Sequence, residues 1–182
     1  MKKILTAVAV LFVSLGALAQ GTINFSNGAA GVNAQIRDAS GAFAAGTGFV
    51  AQLWAGATAS SLAPITPTAT FATGASAGYF FGGSRTIPGV ATGSPAFIQV
   101  RVWSANFADW ATAFGAYNSG NPSAQIGGDL VPAWASPNLG GGATPPANMI
   151  GMQAFQLRQV PEPSTIALAA LGAAALLFRR RK

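Results

Sequence analysis

At 182 residues the chain has room for one domain once any processed ends are set aside. Charged residues make up 8% of it, against about 25% in ordinary globular proteins. The body from Gln20 to Val160 holds Arg37, Arg85, Arg101 and Arg158 against Asp38, Asp109 and Asp129, a net +1, so +5 of the +6 net charge belongs to the ends, and a nucleic-acid partner is excluded for want of a basic stripe.

The chain begins with a positive pair, Lys2 and Lys3, then an apolar run from Ile4 to Leu15, then Ala17-Leu18-Ala19. This order predicts a signal peptide over residues 1–19, cut by signal peptidase between Ala19 and Gln20 after passage through Sec-type export machinery. The alternative is an uncleaved N-terminal anchor.

The body, 20–160, reads as short strands separated by turns. Thr22–Phe25 opens the sheet. In Val32–Arg37, Val32, Ala34 and Ile36 face one way and Asn33, Gln35 and Arg37 the other. Asp38-Ala-Ser-Gly41 is a turn. Phe49–Ala55 sets Phe49, Ala51 and Leu53 against Val50, Gln52 and Trp54. Further strands are expected at Tyr79–Phe81 and Thr86–Ile87. Ala96–Trp103 points Ile98, Val100 and Val102 inward, with Gln99 and Arg101 outward. Phe107, Trp110, Ala111 and Phe114 have helical spacing instead. That helix would be capped by Ser104 or Asn106, carry Asp109 in its first turn and end near Gly115. Residues 118–146 are expected to be mostly loop, with a strand around Leu130–Trp134, and Phe155–Leu157 forms a last strand. The expected fold is all-β, an antiparallel β-sandwich of jelly-roll-like form with one short helix; a flattened barrel is second. An N-terminal signal helix and a C-terminal transmembrane helix would flank it.

The C-terminal apolar run, Ile166–Phe178, would span about 20 Å as a helix, short of the roughly 30 Å hydrocarbon core. Its six large apolar residues favour insertion by only about 2–4 kcal/mol together. Arg179, Arg180, Arg181 and Lys182 act as a stop-transfer cluster and leave the body outside the cytoplasm. Pro161-Glu162-Pro163 precedes the run, and its two prolines hold that segment out of helix.

The order of Pro161-Glu162-Pro163, apolar helix and arginine cluster resembles the PEP-CTERM sorting signal over 161–182. The resemblance implies that Pro161, Glu162 and Pro163 are read by exosortase, a sorting enzyme that would cut the tail. It also implies a location in the cell envelope or extracellular matrix, in association with exopolysaccharide. The body is similar to small PEP-CTERM proteins of bacteria such as Verrucomicrobia in Gln20–Ser26, Val50–Gly56, Gly82–Val90 and Gln99–Trp103.

The body offers little for catalysis. Without His or Cys there is no Ser-His-Asp or Cys-His arrangement, and the body has no lysine for a Ser-Lys pair. Three scattered aspartates suit turns and a helix start better than a carboxylate pair or a Ca²⁺ site. No enzyme activity, cofactor or metal is expected. Trp54 and Trp103 fall on the polar side of their strands, which makes them candidates for glycan contact. The competing reading is that the helix or the long loop covers that face.

Overall fold

The computed structural model describes residues 20–160, together with Leu168 and Leu171. The predicted signal peptide with Ala17 and Ala19 lies outside the described residues. So do the sorting motif Pro161, Glu162 and Pro163 and the cluster Arg179, Arg180, Arg181 and Lys182. Leu168 and Leu171 are helical and exposed. Among the described residues no helix is long and apolar enough to cross a membrane.

The body is all-β with one short helix. A three-stranded sheet has the order β10-β1-β6, from β1 (Gln20–Ser26), β6 (Phe81–Ala91) and β10 (Ala147–Asn148). A larger sheet has the order β11-β8-β7-β4-β5, from β4 (Phe49–Gly56), β5 (Ala63–Thr70), β7 (Phe97–Ser104), β8 (Gln125–Gly127) and β11 (Arg158–Gln159). Its sixth strand, β9 (Trp134–Ala135), also pairs with β7. A small hairpin joins β2 (Gly28–Ala29) to β3 (Val32–Asn33). Between the named strands pairing is antiparallel except for β1 with β10, where Ile23 and Asn24 lie parallel to Ala147 and Asn148; an isolated bridge between Arg37 and Gln156 is also parallel. The Asn24 amide donates to Asn148 Oδ1 at 2.9 Å there and fixes the register.

One core collects side chains from both sheets: Ile23, Phe25, Ile87 and Val90 from the smaller, Leu53, Ile65, Ile98, Val100 and Val102 from the larger. Alternation along β4 and β7 sends Ala51, Leu53, Ile98, Val100 and Val102 into it as predicted. Phe80 packs on Phe25 (ring centroids 4.6 Å apart) and edge-on against Phe71 (5.7 Å).

Several expectations need correction, among them the last strand, which forms at Arg158–Gln159 rather than at Phe155–Leu157. The residues expected outward on β7 are covered: Gln99 is buried and Arg101 half-buried. The helix, α1, runs Trp110–Asn118, and its cap is Asp109, whose carboxylate accepts from the Thr112 N–H at 2.8 Å. Neither Ser104 nor Asn106 caps it, and Gly115 lies inside it. The expected strand at Leu130–Trp134 begins only at Trp134, while β8 forms inside the segment expected to be loop. Strand β5 was unforeseen because Pro64 and Pro67 break its pattern; it is a sheet-edge strand, where missing N–H donors are tolerated.

Candidate functional site

The outer face of the larger sheet carries a second apolar cluster, in which Trp103 of β7 and Ile126 of β8 are buried together with Trp110 and Ala113 of α1. Trp103 is 1% exposed, and its indole N–H donates to the Phe107 carbonyl at 3.1 Å. Its ring meets Trp110 edge-on at 6.2 Å. A pyranose ring cannot reach it, so the structure removes Trp103 as a glycan contact. Amphipathic packing explains this: the apolar stripe of α1 needs a cover, and Trp103 with Trp54 supplies it.

Trp54 is half-buried, and the Arg101 guanidinium lies over its ring at 3.8 Å. Arg101 also faces Trp110 at 5.3 Å and donates from Nε to Gln99 Oε1 at 2.8 Å. The ring face a sugar would need is taken by this cation. Burial pulls the Arg101 guanidinium below its ordinary range, and the Asp129 carboxylate opposes that shift.

Each aspartate of the body has local work. Asp38 Oδ1 accepts from the N–H and hydroxyl of Ser40 and from the Ala42 N–H, closing the predicted turn. Asp109 caps α1, and the Thr112 N–H holds its carboxyl below the usual range. Asp129 pairs with Arg158. Among the described residues no three metal-ligating side chains gather.

Three short contacts fix where the body ends. In β11, Arg158 and Gln159 pair with Ile126 and Gln125 of β8. Arg158 Nη2 donates to Asp129 Oδ2 at 2.5 Å, and its guanidinium lies 5.1 Å from the Tyr117 ring. The Gln159 amide donates to the Pro122 carbonyl. The chain is therefore held by the sheet up to Gln159, two residues before Pro161.

The family model described as the PEP-CTERM protein-sorting motif matches residues 159–182. This chain carries a PEP-CTERM protein-sorting motif. Such motifs mark proteins exported to the cell envelope and imply recognition by exosortase. The match begins at Gln159, the last residue of β11, so the PEP-CTERM match starts within the last body strand. No curated protein and no solved structure matches the chain.

Sequence reasoning gave Tyr79 and Phe81 a place in a strand and no role. They line a surface cleft of about 320 Å³ beside the β2–β3 hairpin. The signal available was the unbroken aromatic run Tyr79-Phe80-Phe81: in an alternating strand its middle ring faces the core and its outer two face away.

Proposed function

We propose that this is a non-enzymatic exported protein whose body has a structural or interaction role in the cell envelope or extracellular matrix, in association with exopolysaccharide. The signal peptide 1–19 directs it through Sec-type export, and signal peptidase cuts between Ala19 and Gln20. The C-terminal helix holds it in the membrane, stopped by Arg179–Lys182, while exosortase reads Pro161, Glu162 and Pro163. The observation that carries this reading is the motif match over 159–182, joined directly to a β-strand of the body.

The body supports the non-catalytic part of the reading. Its three aspartates are engaged in a turn, a cap and an ion pair, which leaves no free carboxylate pair. Two sheets contributing to one core favour a β-sandwich of jelly-roll-like form. The carbohydrate-binding alternative through Trp54 and Trp103 is disfavoured by the burial of Trp103 and the arginine over Trp54. The Verrucomicrobia-like source rests on the body motifs alone.

Fractionation of native-host cells tests the sorting step. The wild type should reach the envelope, and a variant with Pro161, Glu162 and Pro163 all changed to Ala should accumulate as a membrane-held precursor. Identical distribution and gel mobility of the two would sink the role given to this motif.

A further inference from the structure

We propose that the cleft between the β2–β3 hairpin and residues 76–81 binds a neutral polysaccharide, with one pyranose ring stacked on Tyr79 and Phe81. This rests on the interaction role proposed above and gives it a site.

The cleft is built rather than incidental. Asn27 is fully buried and makes three hydrogen bonds: its amide donates to the Ala34 and Gly78 carbonyls at 2.7 and 2.8 Å, and its Oδ1 accepts from the Phe80 N–H at 2.7 Å. The backbone is thus gripped on both sides of Tyr79. Phe80 must then enter the core, and Tyr79 and Phe81 must face out. The Tyr79 hydroxyl donates to Asn33 Oδ1, which fixes the ring's far end. Gly28 lets the rings lie close: a Cβ there would stand 2.8 Å from Tyr79 Cδ1 and 3.4 Å from Phe81 Cε1. The two rings are 6.5 Å apart and inclined by only 31°, a shallow two-ring platform. Phe81 is 60% exposed, unusual for a phenyl group held on a strand.

The chemistry of the lining selects the ligand. It contains no charged side chain, so nothing in it favours a phosphate, a carboxylate or an amine. Two aromatic rings offer an apolar surface, and Asn33 and Ser76, which also line the cleft, supply an amide and a hydroxyl to meet hydroxyl groups. A sugar ring has that division, with an apolar C–H face and a hydroxyl rim. A wholly apolar peptide or lipid would leave the Asn33 side-chain N–H groups and the Ser76 hydroxyl without partners. The volume is at the low end of the roughly 300–1,000 Å³ of small-ligand sites, enough for a ring or two of a polymer lying across the surface. A platform already fixed by Asn27 and Asn33 loses little side-chain freedom on binding.

Affinity gel electrophoresis of protein recovered from the envelope tests this, with dextran, hydroxyethylcellulose, xylan and galactomannan as neutral probes and alginate as an anionic one. At least one neutral polymer should retard the wild type, and alginate should not. Phe81→Ala and Tyr79→Ala should each weaken retardation by about tenfold or more, as loss of an aromatic anchor does, while Trp54→Phe leaves it unchanged. Absence of retardation by all four neutral polymers, or equal retardation of Phe81→Ala, would overturn the proposal. So would sedimentation showing a dimer that Phe81→Ala dissociates, since the platform would then be a contact between copies. The proposed function stands if only these binding results fail and the protein still reaches the envelope; it falls separately if fractionation finds the protein elsewhere.

Discussion

Arg158, the residue just before the matched sorting motif, forms an ion pair with Asp129, with Nη2 and Oδ2 2.5 Å apart. Both groups are partly shielded, and the second carboxylate oxygen, Oδ1, is buried without a partner. Burial alone would lower the Arg158 guanidinium; bonding to Asp129 outweighs it and raises it above its ordinary value. The pair ties the loop after β8 to β11, so the body closes on itself where the tail leaves. Arg158→Leu should strand the carboxylate and cost about 1–3 kcal/mol. Urea denaturation reads the loss, and limited proteolysis should show earlier cutting near residue 158. Wild-type stability and protection would contradict this role.

Gly128 positions Asp129. Its φ is +89°, and a Cβ there would lie 1.9 Å from the Val100 carbonyl oxygen. Neither strain nor clash can be relieved without moving β7. Gly128→Ala should lose at least about 2 kcal/mol in thermal or urea unfolding. An unchanged midpoint would show that the turn is looser than this geometry requires.

Trp103 is a core side chain of the face under α1. Trp103→Ala should cost about 3–5 kcal/mol, and Trp103→Phe clearly less. Chemical denaturation separates the two. A Trp103→Ala variant as stable as wild type would contradict the packing and reopen the question of that ring's exposure.

The Asp109 cap gives a pH signature. Its folded carboxyl is held below its ordinary value of 3.8, chiefly by the Thr112 N–H. A lowered folded value means that the stabilisation is complete above about pH 4 and is lost as pH falls through the folded value. Asp109→Asn keeps a capping oxygen without the charge. Melting curves from pH 6 to pH 2 should therefore fall less steeply for Asp109→Asn than for wild type. Parallel curves would show that the cap does not titrate with folding.

The alternating segments were legible in the sequence because one side of each is apolar: Val32, Ala34 and Ile36 are buried as read, and so are Ile98, Val100 and Val102. The reading failed where a second layer covers the polar side. Gln99 looked solvent-facing, yet its amide donates to the Val131 carbonyl at 2.8 Å beneath the loop. The tryptophans on that side were the available signal of a cover, and their placement was ambiguous between burial and ligand contact. The presence of a helix was readable from the spacing of Phe107, Trp110, Ala111 and Phe114, but its phase was not: Trp110 and Ala113 are the buried positions, Ala111 and Phe114 are exposed, and the start depends on the Asp109 carboxylate rather than on Ser104 or Asn106. The Tyr79–Phe81 platform depends on the buried Asn27, whose three partners lie up to 53 residues away and leave no local pattern. The tail was legible because its signal is linear, a motif, a run and a cluster in fixed order.

The measurement that bears most directly on exosortase sorting is the intact mass and C-terminal peptide map of the protein recovered from the native envelope. Sorting predicts a form beginning at Gln20 and lacking the residues beyond the Pro161 region. A mature envelope protein still ending in Lys182 would contradict removal of the tail.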